Sequence, residues 1–200
     1  ILLVAVGIRQ PWVILSLALC SLAIIGIFQE WIRGTRSLHL RGYSWAIAFF
    51  KLLGANRPRY GGYIVHIAVV MFGVGIVAST FFDAQKDVVM KPGDTQTLGE
   101  YTFRYLGVEE EIYHDRIEEI ATFQVWNGDK NMGLMYPRRS FYPEFRISST
   151  KGAILTSPVE DFYLIPSEFR EDGQAVFRVL INPMVWWMWA SAPVLIGGTL

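Results

Sequence analysis

His66 is the side chain whose type and setting most plainly ask for chemistry. It stands inside Tyr60–Phe82, a run of about twenty apolar residues that follows the basic hinge Asn56-Arg57-Pro58-Arg59. A polar ring in hydrocarbon is costly unless it has a partner, so an ionisable residue at such a place is a functional site by default. Helical spacing puts Gly62 at i−4 and Gly73 at i+7 on its face, with Val69 and Val70 between them. The residues alone leave two readings. In one, these glycines, with Gly75 and Ser79, are ordinary small-residue helix packing and His66 hydrogen-bonds a neighbouring helix. In the other, they leave room for a flat group that the imidazole ligates, and neutral imidazole is a standard ligand of haem iron.

Other candidates are weaker. His114 lies among Glu109, Glu110, Glu111, Asp115, Glu118 and Glu119. A block of like charges reads as a solvated loop, with a metal or a basic partner as the sharper alternative. His39 sits in a basic stretch and reads as a surface residue. Cys20 is the single cysteine, in an apolar run, and reads as a buried thiol that excludes an internal disulfide. No phosphate-binding glycine loop, nucleophile elbow or zinc-ligand spacing is present, so no catalytic residue is expected in this chain.

The elements that must position His66 follow from hydropathy and charge. Residues 1–82 carry seven Lys/Arg and one acid, Glu30, whereas residues 83–200 carry eleven Lys/Arg and seventeen Asp/Glu. Such a split marks parts that live in different surroundings. Residues 1–29 read as the end of an earlier membrane span (Ile1–Gly7), a break at Arg9-Gln10-Pro11, and a first full span, Trp12–Phe28. Residues 30–59 read as a basic cytoplasmic loop, because Arg33 to Arg59 holds six Lys/Arg and no acid. Within it, Tyr43–Leu53 is too short to cross and suits an interfacial helix. Residues 60–82 are the second full span, with His66 about 9 Å in from its cytoplasmic edge. Residues 83–182 then lie on the outer side, and 183–200 begin a return span behind Trp186, Trp187 and Trp189. Residue 1 is Ile and the chain stops within an apolar run, which suggests a piece of a longer membrane protein without a signal peptide.

The outer segment follows strand periodicity. Glu100–Leu106 and Ala121–Trp126 alternate in period two, and the second runs into the hairpin signal Asn127-Gly128-Asp129. Met132–Tyr136 would return. Arg139–Ile147, Ala153–Thr156, Asp161–Ile165 and, after the turn Glu171-Asp172-Gly173, Gln174–Ile181 complete seven or eight short strands. The fold class is therefore an α-helical membrane segment, with two full spans and partial spans at both ends. Inserted in it is an all-β extracytoplasmic domain, a small antiparallel barrel or sandwich.

At Arg57-Pro58-Arg59-Tyr60-Gly61-Gly62-Tyr63-Ile64-Val65-His66 the sequence resembles the C-terminal part of the CcmF-type haem lyases of bacterial cytochrome c maturation. The resemblance extends through Lys91-Pro92-Gly93-Asp94, Tyr136-Pro137-Arg138 and Asp161-Phe162-Tyr163-Leu164 to Ile181-Asn182-Pro183-Met184-Val185-Trp186-Trp187-Met188-Trp189. It covers essentially the whole chain. Pro58 stands where the family usually has Arg, and Ser191-Ala192-Pro193 where it has small residues such as Gly. The resemblance implies a multi-pass protein of the bacterial inner membrane with a periplasmic β domain, which helps attach haem covalently to apocytochrome c. It implies a buried haem b held by two histidines, His66 matching one of them and the other lying in an upstream part of the same chain. The haem chaperone CcmE, subunits of the CcmH and CcmI type and membrane lipid are the implied partners, and no nucleic acid is expected. The family's Trp-rich motif and the histidines that hold incoming haem are absent, so the ligase chemistry maps to no residue here. The alternative is a membrane-anchored docking subunit with a structural His66 and no haem.

Overall fold

The computed structural model describes residues 10–170 and 173–200. The expected end of an earlier span at Ile1–Gly7 lies outside the described residues, as do Glu171 and Asp172 of the expected turn. The chain divides into two compact units, residues 1–82 with 184–200, and residues 83–183.

The first unit is helical. Helix α1 (Pro11–His39) starts on Pro11, whose fixed φ and missing N–H suit a first turn. It runs on past the expected membrane span, Trp12–Phe28. Gln29 to His39 contains no proline and a single glycine, so the hydrogen-bond ladder continues after the apolar run has ended, and Arg36 and His39 complement the carbonyl end of the dipole. Gly42, with φ of 98°, turns the chain. Helix α2 (Trp45–Ala55) follows, and helix α3 (Arg57–Phe81) begins where Asn56 accepts a hydrogen bond from the Arg59 N–H at 3.3 Å. Residues 57–59, expected in the loop, thus form the first turn of α3. Helices α1 and α3 are long and apolar enough, by length and composition, to cross a membrane. Helix α4 (Val185–Thr199) packs along α3.

The second unit is a sandwich of two antiparallel sheets, which decides between barrel and sandwich. Strand β1 (Ala84–Met90) pairs with β10 (Ala175–Pro183), β10 with β9 (Glu160–Phe169), and β9 with β8 (Ala153–Thr156). The second sheet runs β2 (Thr95–Leu98), β3 (Tyr101–Ile112), β4 (Ile117–Asn127), β6 (Arg138–Tyr142) and β7 (Ile147–Lys151), with β5 (Lys130–Met135) also on β4. Its core is aromatic. Tyr101 stacks on Phe162 at 4.4 Å, and Phe123 meets Phe177 edge-on at 4.7 Å. The Asn127-Gly128 hairpin forms, with Gly128 at φ of 53°.

Three local readings change. The acidic run Glu109–Glu111 is strand, not loop: β3 extends through it because Val108 pairs with Ala121 and Ile112 with Ile117. Cross-strand apolar pairs and a continuous ladder outweigh like charges that water screens. Arg139–Ile147 is two strands, since Pro143 breaks the ladder and Arg146 turns at φ of 51°. β9 runs on through Pro166, which the register shift between Val176 and Phe177 accommodates. β1 and β2, without a clean alternation, were not expected.

One core group carries a prediction. Tyr105 is 0% exposed, its hydroxyl has no partner, and burial pushes its pKa up to about 12. The folded pKa lies above the unfolded value of about 10, so the neutral phenol contributes fully below about pH 10. That contribution is lost as pH rises towards 12. Tyr105→Phe removes the orphan hydroxyl and is expected to stabilise the protein by about 1 kcal/mol at neutral pH. It should also flatten the alkaline loss of stability, as read by denaturant unfolding across that range.

Candidate functional site

His66 occupies the middle of α3, exposed, on a face defined by Arg59 and Gly73 seven residues to either side. Both of those positions meet α1. Arg59 donates to Glu30 at 2.6 Å, and a Cβ added at Gly73 would stand 3.8 Å from the Cys20 sulfur. The two helices are therefore antiparallel. Between these contacts His66 is exposed among the described residues, and a Cβ added at Gly62, one turn away, would meet no atom within 4 Å.

The opposite face of α3 is closed. A Cβ at Gly61 would stand 2.5 Å from the Gly198 carbonyl oxygen, and one at Gly75 2.6 Å from Met188 Cγ. Successive residues step about 100° around the axis, which sets Gly61, Ala68 and Gly75 away from His66. The packing glycines and the open glycines are different residues. Gly61 and Gly75 bring α4 close, Gly62 leaves space one turn from His66, and Gly73, grouped with Gly62 by spacing alone, is partly filled by Cys20.

The imidazole is oriented from within its own helix. Nδ1 lies 2.7 Å from the Gly62 carbonyl oxygen. A carbonyl only accepts, so Nδ1 carries the proton and donates it. The Nε2 lone pair is then directed away from α3 and meets no partner among the described residues. A metal-ligating histidine has this arrangement, one ring nitrogen fixed by a carbonyl and the other free.

The other histidines are not brought to it. His39 Nδ1 donates to the Tyr43 carbonyl at 2.7 Å, and its ring stacks on Trp45 at 4.3 Å, so it closes the α1–α2 corner. Its stacking partner lies across a turn, which sequence spacing does not report. His114 is at the tip of the β3–β4 hairpin, in the other unit. No group of three or more His, Cys, Asp or Glu that could hold a metal ion occurs among the described residues. Arg59 is committed to Glu30 and also donates to the Tyr63 hydroxyl at 3.1 Å, which makes it a structural tie between helices.

In the β unit the acidic run resolves into two rows across β3, β4 and β6. Glu118 is buried and accepts from Arg116 at 2.6 Å, Ser140 at 3.3 Å and Arg138 at 3.4 Å. The Arg116 hydrogen bond holds its carboxyl below the ordinary glutamate range. On the other face, burial pushes Glu119 up, with Arg139 opposing and Glu110 reinforcing the shift. Glu118 thus anchors an ion-pair and hydrogen-bond network that ties β4 to β6.

Residues 81–183 match the family described as the CcmF C-terminal beta-sandwich. Among curated relatives, the cytochrome c-type biogenesis protein NrfE of Haemophilus influenzae is 25% identical, covering 96% of this chain and 32% of its own length. The cytochrome c-type biogenesis protein CcmF of Pseudomonas aeruginosa is 26% identical over 94% of this chain and 28% of its own length. CcmF of Escherichia coli is also 26% identical, over 94% and 27%. A solved structure described as cytochrome c heme lyase CcmF superposes with a TM-score of 0.58 at 20% identity, over 88% of this chain and 33% of that one, a likeness of fold. The chain spans about a third or less of the curated relatives.

Proposed function

The chain belongs to the CcmF C-terminal β-sandwich family, and on that premise we propose that it is part of a membrane haem lyase in cytochrome c biogenesis. In this reading α1 and α3 cross the bacterial inner membrane, the basic stretch from Arg33 to Arg59 lies in the cytoplasm, and the β sandwich stands in the periplasm. His66 would hold the iron of a haem b, together with a histidine upstream in the full-length protein.

The observation that carries this is the hydrogen bond from Nδ1 to the Gly62 carbonyl. It fixes the tautomer, aims the Nε2 lone pair outward, and raises the basicity of the ligating nitrogen. Gly62 has a second part, since its missing side chain keeps the surface beside the ring clear. Among the described residues the second nitrogen of His66 meets no partner. When bound, haem b supplies one-electron redox chemistry to such a site. The residues present fit one ligand of the pair. Thioether formation is assigned to none of them.

The β unit would serve assembly with apocytochrome c and with partners of the CcmE, CcmH and CcmI type. The test is cytochrome c formation in cells that depend on the full-length protein. His66→Ala is expected to abolish it with the protein still accumulating, and wild-type cytochrome levels in that variant would overturn the assignment.

A further inference from the structure

The β unit leaves a sheet edge open at one end. Tyr105 meets Phe177 at 5.1 Å, and Phe177 meets Phe169 at 5.9 Å. Phe169 and Ala175 pair just before the β9–β10 turn, so the covering sheet ends at the level of Tyr105. β3 and β4 run on, and Leu106–Ile112 overhangs by roughly 20 Å. The chain enters and leaves the unit at the other end, where Ala84 pairs with Ile181 and Pro183 with Glu160.

The overhang is bare in two senses. β2 pairs only with Tyr101–Arg104, and Gly93 and Asp94 take up the backbone of Tyr105, so Val108–Ile112 has a strand on one side only. Its inner face continues the core face, with no strand over it among the described residues. Ile112, Ile117 and Phe141 stand directly across from one another on three strands, with Ile112 77% and Phe141 41% exposed.

Charge selects what could add to this edge. Glu109, Glu110 and Glu111 make no ion pair among the described residues, and β4 sets Glu119 opposite Glu110, whereas Glu118, opposite Glu111, is paired with Arg116 and Arg138. An open edge is a template for another strand, and charges on it veto the wrong ones. A second copy would lay glutamate beside glutamate, and an anionic lipid surface or a nucleic acid would be repelled. A strand rich in Lys or Arg would be attracted.

We propose that Val108–Ile112 accepts an extended, basic segment of a partner protein as an added strand, with Ile112, Ile117 and Phe141 seating that segment's apolar side chains. The proposal is independent of the haem reading.

Full-length protein in phosphatidylcholine nanodiscs is titrated into a fluorescein-labelled peptide of alternating lysine and valine, and anisotropy is read. The peptide is expected to bind, and its glutamate–valine counterpart is not. A fully N-methylated form keeps every charge but lacks the N–H donors of a strand, and is expected to bind at least about tenfold more weakly. The combined Glu109→Gln and Glu111→Gln variant is expected to lose a similar factor, since these two carboxylates share the face opposite Ile112 and would meet the lysines of a strand whose valines seat on Ile112. Ile112→Ser, at an exposed position, should also weaken binding, and thermal unfolding verifies that both variants fold. Equal binding of the methylated peptide, or unchanged affinity in the folded charge variant, would overturn the proposal.

Discussion

Gly198→Val is expected to drive α4 off α3 and to abolish accumulation of the folded protein. A Cβ at Gly198 would stand 2.8 Å from the Val65 nitrogen and 2.9 Å from the Gly61 carbonyl oxygen. Both are backbone atoms of a helix and cannot rotate aside, so the helices must separate along the whole contact. A gap of about 1 Å already forfeits up to half of the dispersion well at each atom pair it opens. Overpacking typically costs about 1–3 kcal/mol, and the branched side chain at a backbone-to-backbone crossing belongs at or above the top of that range. Gly61→Val, aimed at the same crossing from the other helix, should act alike. Gly75→Ala should cost less, because its nearest obstacle is the Met188 side chain at 2.6 Å and the backbone atoms there, the Met184 carbonyl oxygen and the Met188 nitrogen, stand farther off at 3.1 and 3.3 Å. Protein level and thermal unfolding of the full-length protein in detergent give the comparison.

The second large effect is at Gly62. Among the described residues nothing lies within 4 Å of a Cβ added there, and the position is helical, so neither α1 nor α4 requires a glycine. Exchanging glycine for a good helix former in a helix interior would by itself stabilise by up to about 1 kcal/mol. Gly62→Leu is therefore expected to leave the fold intact or firmer, to keep the carbonyl that accepts from His66, and to fill the space beside the imidazole. Loss of haem should exceed the 10- to 100-fold typical of disturbing an outer ligand partner, and should approach that of His66→Ala. Gly62→Ala should be intermediate. If Gly62→Leu retains full haem content, the open glycine has no part in the site.

Much of this was legible in the sequence, and the parts that were not have physical causes. The two long helices and His66 within the second stand out because hydropathy needs no tertiary information. The end of α1 does not, because helix continuation past Phe28 depends on the absence of breakers rather than on apolarity. Strands β3, β4 and β10 announce themselves by alternation, since one face is core. The five residues of β7 are all exposed and carry no such pattern. At the site, spacing placed Gly62 and Gly73 together on the face of His66. Only coordinates separate Gly62, with open space, from Gly73, with Cys20 against it. The tautomer of His66 is likewise a matter of a 2.7 Å contact that no spacing rule reports.

The central claim is that His66 ligates haem b in the full-length protein. Its most direct test is the absorption spectrum of that protein, purified and reduced, for wild type, His66→Gly, and His66→Gly with added imidazole. A bis-histidine b-type spectrum is expected in the wild type, with its loss in the variant and its return when free imidazole occupies the vacated position. A wild-type spectrum that persists unchanged in His66→Gly without imidazole would contradict it.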